Sequence, residues 1–548
     1  MSTRAAKERD RQSAFDCRLF CCASTGCISS GSESVMPALA EAAASHGLGQ
    51  RIDIVATGCM GLCAKGPLVR VEIAGREPVL YCEVGQLEAR LIVAEHIRPA
   101  IDRGAKEALD LPPFLRERQL DLSLPFFACQ EKVVLANSGA IDPDDINHYI
   151  AADGYTALAS VLEQNDPEAV IDRIDRSGLR GRGGAGYPTG RKWRNTRSTP
   201  ASERCVVCNG DEGDPGAYMD RSILEGDPHA VIEGMAIAAH AIGAQTGWFY
   251  IRAEYGLAIR RVEKAIRQAR RAGLLGTGIL GTGFDFDCEI RLGAGAFVCG
   301  EETALINSIE GKRGYPRPRP PYPSASGLWG RPTCVNNVET LANVAPIIRN
   351  GPEWFAGIGD PESAGTKVFA ITGKVQHTGL IEVPMGAPLS TIVEQIAGGS
   401  STGRPLKAVQ TGGPSGGVIP ASAFATPVSY EGLAERGSIM GSGGMIVLDA
   451  DDSMVDIAAF YLEFTVEESC GKCAPCRIGG KQMLELLHRF QAGTATQDDL
   501  LALDRLAVAM QQASLCGLGQ TGPNPVVSTI THFADEYRAR IGATVASA

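Results

Sequence analysis

Four cysteines near the carboxy terminus constrain this 548-residue chain more than any other feature. In "ESCGKCAPCR", Cys470, Cys473 and Cys476 follow one another at two-residue gaps, and Cys516 in "SLCGLG" returns after a helical excursion. One loop carrying three thiols can wrap three corners of a cubane while the fourth ligand arrives alone, a spacing that predicts a [4Fe-4S] cluster. A structural zinc site generally draws on two separated ligand pairs and fits less well. Gly471, Gly479 and Gly517 leave room for the backbone to approach a bulky group.

A second set lies near the amino terminus. Cys22 and Cys27 in "CCASTGC", and Cys59 and Cys63 in "TGCMGLC", each follow an expected strand. Two thiolates per iron suggest a [2Fe-2S] cluster. Cys17 and Cys21 offer competing spacings, Cys17 to Cys22 repeating the same four-residue gap, and a zinc site or an unloaded remnant stays open. Cys82, Cys129, Cys288 and Cys334 stand alone and read as small buried apolar side chains. Seventeen cysteines in a chain with no secretory signal at its start argue for ligation rather than disulfides. No run reaches ~18 uninterrupted apolar residues, so a cytoplasmic protein is expected. A net charge of −11 sets the chain's field against nucleic acid.

The third constellation is "GLRGRGGAGYPTGRKW". It contains a formal G-x-G-x-x-G from Gly181 to Gly186, but the preceding "AVIDRIDRSGL" reads as helix, where a dinucleotide fingerprint needs a strand. It is also no P-loop, because Arg191 and Lys192 follow Gly190 without the Gly-Lys-Ser/Thr order. What remains is glycine that lets backbone N–H groups approach a ring or phosphate, with Arg182 and Lys192 as cations, or simply a surface turn. "CNGDEGDPGAYMDRS" then gathers Asp211, Glu212 and Asp214 at the end of a strand, where open α/β sheets place ligands. "GAGAFVCGEETAL" sets Glu301 and Glu302 between a glycine turn and a helix whose N–H groups can receive phosphate. Adjacent acids more often mark a solvated face; their place after strand and turn favours hydroxyls or a flavin N–H edge as partners.

Taken in order, "GRGGAGYPTGRKW", "NGDEGDPGAYMDR", "GAGAFVCGEETAL", "NNVETLANV", "ESCGKCAPCR" and "SLCGLGQ" resemble the NADH-binding flavoprotein subunit of respiratory complex I and its soluble relatives, over nearly everything after Val133. "CCASTGCISSGSESV", "NSGAIDPDDINHYIAADGY" and "SLCGLGQTGPNPVVSTI" look most like the diaphorase subunit of bidirectional NAD-reducing [NiFe]-hydrogenases.

The resemblance implies NAD(H) and FMN in one pocket, with single electrons leaving through the cubane. Gly181, Arg182, Gly183, Lys192, Asn209, Asp211, Gly300, Glu301, Asn336, Asn337 and Thr340 would hold FMN. Gly184, Gly186, Tyr187, Glu212, Asp214, Glu302 and Tyr322 would face NAD(H). Phe297 and Asp214 stand where complex I subunits often carry Tyr and Glu.

It also implies an α/β multidomain architecture: a thioredoxin-like [2Fe-2S] domain at 14–105, a linker at 106–132, a Rossmann-like FMN domain at 133–357, a β-grasp-like insert at 358–450 and a cubane-bearing helical bundle at 451–548. Hydrophobic periodicity agrees, with strand candidates first and helical spacing in the last hundred residues. No nickel-binding cysteine pairs of the hydrogenase type appear, which assigns hydrogen activation to a partner reached through other iron–sulfur subunits. A formate dehydrogenase or complex I partner, and a purely structural iron–sulfur scaffold, are the rival readings. No tandem ferredoxin motif follows Cys516, unlike the longer subunits of electron-bifurcating iron-only hydrogenases.

Overall fold

The computed structural model describes residues 2–103 and 111–542. The chain is a mixed α/β assembly of parallel and mixed sheets, with a carboxy-terminal part that is helical. The expected boundary near 105 and the first residues of the expected linker lie outside the described residues.

Strands β1 (Cys17–Cys22), β2 (Ile52–Thr57), β3 (Val69–Ile73), β4 (Val79–Tyr81) and β5 (Gln119–Leu120) form the first sheet, in the order β2-β1-β3-β4-β5. Strand alternation sorts its cysteines. Cys17 and Cys21 face the core formed with Val35 and Leu39, whereas Cys22, one residue on, turns to the other side with Cys27. That alternation puts Cys17 and Cys21 on the face away from Cys27. The charged first residues form a helix, Ser2–Ser13, which sequence periodicity did not suggest. It is held across the chain by Arg4 to Asn147 Oδ1 at 2.6 Å and Arg9 to the Ala151 carbonyl at 2.7 Å.

Strands β6 (Cys205–Gly210), β7 (Thr246–Arg252), β8 (Asp287–Gly293) and β9 (Thr333–Asn337) form the second sheet, parallel throughout and in the order β8-β7-β6-β9. It packs against the helix Pro228–Ile242, every residue of which is buried. After β8 the chain crosses back to the far side of β6, where β9 pairs, so the strand order reverses between β6 and β9, the switch point at which open α/β sheets bind ligands. Register puts Asn209 beside Asn337 there.

A two-strand ribbon, β10 (Gly359–Asp360) and β11 (Ser363–Ala364), leads into a third sheet. Its strands β12 (Thr366–Gly373), β13 (Gly379–Pro384), β14 (Leu406–Thr411), β15 (Val418–Pro420) and β16 (Gly444–Asp449) take the order β13-β12-β16-β14-β15. The helices Met454–Glu467, Gly480–Gln491, Gln497–Ala513 and Asn524–His532 complete the chain around a core that includes Leu462, Met483 and Leu487. Cys82, Cys288 and Cys334 are buried as expected, but Cys129 is exposed at the end of the short helix Pro125–Ala128.

Candidate functional site

A cleft with two joined lobes opens at the switch point. The first lobe, about 720 Å³, takes in Gly181, Tyr187, Lys192, Glu302, Tyr322, Asn336 and Thr340. The second, about 510 Å³, takes in Gly184, Asp211, Asp214, Phe297, Tyr430 and Ser442. Gly183, Asn209, Gly300, Glu301, Asn337 and Gly517 line both.

The glycine turn lies between the helices Pro167–Arg176 and Thr189–Ser198, as the helical reading of "AVIDRIDRSGL" predicted. Close packing explains its composition: a Cβ on Gly183 would meet Asn337 Cβ at 3.1 Å, and Gly184, at φ +115°, would meet Gly441 at 3.1 Å. Glu301 caps the helix Glu302–Ile309 by accepting from Thr303 N and Ala304 N, both at 3.0 Å. Glu302 pairs with Arg319 at 3.0 Å and stands 3.6 Å from Lys192, whose Nζ donates to the Val335 carbonyl at 3.0 Å. Trp193 Nε1 fixes Asn336 Oδ1 at 3.0 Å, and Asn209 Nδ2 holds the Gly300 carbonyl at 2.9 Å. Tyr187 and Tyr322 are large, exposed rings on the first lobe.

Two expected site residues are turned elsewhere. Arg182 is fully buried, and its guanidinium donates to the carbonyls of Ala364, Thr366 and Arg180 instead of entering the cleft. Glu212 lines neither lobe; its carboxylate accepts from Asp220 N and Arg221 N, each at 3.1 Å, at the start of the helix Met219–Gly226. Burial pushes its carboxyl up to about 7. Asp214 does line the second lobe, accepts from Ser442 Oγ at 3.1 Å, and is raised by burial to about 6. Asp220, Tyr430 and Ser442 also line that lobe and were missed, because Asp220 and Tyr430 sit in ordinary helices and the glycines around Ser442 read only as a turn of the strand-rich insert.

Cys470, Cys473, Cys476 and Cys516 line one small cavity with Ser469 and Lys472. Val298 and Leu518 line this cavity and the second lobe alike, so one layer of side chains separates them.

The amino-terminal thiols also converge. Cys59 Sγ is 3.4 Å from Cys63 Sγ, and hydrogen bonds from Cys27 and Cys59 hold the Cys22 thiol well below its ordinary range while the same bonds push Cys27 and Cys59 up. Cys63 is lowered chiefly by its hydrogen bond from Cys59, with Tyr218 adding a further bond. The quartet lies on a seam: Leu380 N donates to the Gly61 carbonyl at 2.8 Å, and Thr25 N to Glu225 Oε2 at 3.0 Å. Among the described residues no three His, Cys, Asp or Glu side chains are arranged to hold a single metal ion.

The donors fit the groups such a site would need. Both Asp211 carboxylate oxygens are buried without a hydrogen-bond partner among the described residues, the glycine turn presents open backbone, and each thiol quartet surrounds a common space or seam.

The Nuo51 FMN-binding domain matches residues 174–346, and the NADH-ubiquinone oxidoreductase-F iron-sulfur binding region matches 456–540. The chain is 56% identical over 412 residues to the NADP-reducing hydrogenase subunit HndC of Solidesulfovibrio fructosivorans, covering 75% of this chain and 84% of that one. The chain belongs to the family of the complex I NADH-binding flavoprotein subunit. Within this family it is also 44% identical over 411 residues to an NADH-quinone oxidoreductase F-subunit of Rhizobium meliloti (strain 1021), covering 75% of this chain and 98% of the relative. An air-oxidized NAD+-reducing [NiFe]-hydrogenase crystal structure superposes with a TM-score of 0.66 at 31% identity, over 96% of this chain and 85% of the other. As a member of this family, the protein is an oxidoreductase with FMN and iron–sulfur cofactors.

Proposed function

We propose that this flavoprotein is the diaphorase of a soluble, cytoplasmic NAD-reducing [NiFe]-hydrogenase, working with further iron–sulfur subunits and a hydrogenase module. The observation that carries the reading is the shared wall of Val298 and Leu518 between the cleft and the four-thiol cavity. When bound, FMN supplies the exchange of a hydride for two single electrons, and the iron–sulfur cluster takes electrons one at a time.

The chain's own part is binding and placement. Gly181, Gly183, Lys192, Asn209, Gly300, Glu301, Asn336, Asn337 and Thr340 would hold FMN at the switch point. Asp211, whose two oxygens have no hydrogen-bond partner among the described residues, would accept from a donor on the same group. Tyr187, Glu302, Tyr322, Gly184, Gly186 and Asp214 would face NAD(H), the tyrosines offering stacking surfaces. Cys470, Cys473, Cys476 and Cys516 would ligate [4Fe-4S], and Cys22, Cys27, Cys59 and Cys63 would ligate [2Fe-2S]. The units are read as thioredoxin-like, Rossmann-like and β-grasp-like in chain order, followed by the helical bundle. Among the described residues no helix is long and apolar enough to cross a membrane.

One observation favours a second nucleotide. Arg191, exposed, lines the first lobe with Lys192 and Arg319, a cationic rim suited to a ribose 2′-phosphate, and one relative is named for NADP reduction. Anaerobically prepared protein containing flavin and iron is expected to reduce a viologen dye with NADH; loaded protein inert to both NADH and NADPH defeats the proposal. The ratio of kcat/KM for the two nucleotides chooses between them. Copurification with a nickel subunit, rather than with a molybdenum or tungsten subunit or a quinone-reducing complex, identifies the hydrogenase assembly.

A further inference from the structure

The glycine turn is gripped by the inserted β unit, to which the reading above gives no cofactor-binding residue. Tyr430 Oη donates to the Gly181 carbonyl at 2.8 Å. The Tyr430 ring lies against Gly186, where a Cβ would come within 2.7 Å of it. On that ring the Arg180 guanidinium sits 4.2 Å from the centroid, while Arg180 Nε bonds the Gly186 carbonyl and Arg180 Nη1 bonds Glu431 Oε1, both at 2.7 Å. Arg182 leaves the cleft to donate to Ala364 O at 2.6 Å and Thr366 O at 3.1 Å, both in the strands that open the insert. From the opposite side, Arg182 N donates to Thr340 Oγ1 at 2.8 Å.

We propose that the insert is part of the flavin site, with Tyr430 and Arg182 as positioning residues that hold the 181–187 turn in its cofactor-receiving shape. This rests on the flavin reading of the cleft. A turn this rich in glycine has many conformations to lose on ordering, and a scaffold that has already restricted them leaves less to lose when a ligand binds. The oxygens that bond the Arg182 guanidinium are three neutral carbonyls and, at 3.5 Å, the Tyr430 hydroxyl, an arrangement that is tolerable for a buried cation only with its donors well satisfied, so its direction is closely specified. The insert does more than brace the turn: Tyr430, Gly441 and Ser442 are themselves wall residues of the second lobe.

The test uses the full-length chain, stripped of FMN and titrated back with FMN while flavin fluorescence is followed. Tyr430→Phe removes one hydroxyl and keeps the ring; its FMN dissociation constant is expected to rise about tenfold. Its FMN-free melting temperature is expected to stay within about 2 °C of the parent. Arg182→Lys keeps the charge but gathers its donors on one nitrogen in place of the planar fork that spans these acceptors, and is expected to weaken FMN in the same direction. Unchanged FMN affinity in both variants overturns the proposal, as does weakened affinity accompanied by an equal loss of FMN-free stability in both. A parent chain that takes up no FMN instead overturns the flavin reading itself.

Discussion

Arg252 Nη1 stands 3.8 Å from Asp211 Oδ1 at the second lobe, near enough for charge attraction and too far for a hydrogen bond. Burial dominates over that attraction and pushes the Asp211 carboxyl up to about 7. A carboxyl raised above its unfolded value contributes stability while protonated, and that stability is lost as pH rises through the folded pKa. Flavin-free protein is therefore expected to lose stability between about pH 4 and pH 7, at up to about 1.4 kcal/mol for each pH unit crossed. Asp211→Asn should flatten this part of the profile. Denaturant melts across that range check it, and an unaltered slope in the variant refutes the assignment.

Cys473→Ser should remove the carboxy-terminal cluster while sparing the cleft, because the cysteine lines only the neighbouring cavity. Iron content is expected to fall with flavin content unchanged, and dye reduction by NADH to drop at least about tenfold if electrons must leave by this cluster. Iron analysis, flavin absorbance and electron paramagnetic resonance read the three outcomes.

At the amino-terminal seam the expectation differs. Cys59 and Cys63 line neither lobe of the cleft, so Cys59→Ser should lower iron without slowing reduction of the flavin by NADH. Stopped-flow flavin bleaching measures this, and a slowed bleach places the quartet in direct contact with the first step.

Lys367 and Glu339 form an ion pair with both side chains almost wholly buried, and Lys367 Nζ also donates to the Ser442 carbonyl at 2.6 Å beside Asp214. Removing one partner leaves an uncompensated charge, so Lys367→Met is expected to cost about 3–5 kcal/mol in chemical denaturation. Pairing it with Glu339→Leu should restore much of that loss, since both charges then leave the core together.

Local patterns made much of this protein legible. The cysteines at 470, 473, 476 and 516 need only loop spacing to converge, and they line one cavity. The helical reading before Gly181 and the strand before Asp211 came from periodicity, and both elements stand where expected. At the amino terminus spacing alone left Cys17 and Cys22 equivalent, and only the pairing of their strand shows that they face opposite sides.

Direction was what the chain order could not supply. An arginine within a glycine turn reads as a ligand cation, yet Arg182 finds its carbonyl partners 182 and 184 positions away, and those contacts turn it inward. Glu212 and Asp214 read alike as cleft acids; helix N–H groups eight and nine residues on claim the first and leave only the second at the cleft. Sequence by itself determined which chemical groups occur together, because spacing and alternation are short-range. Only the tertiary structure decided which way they point and that Val298 and Leu518 join the cleft to the thiol cavity, because side-chain direction depends on partners brought close by packing.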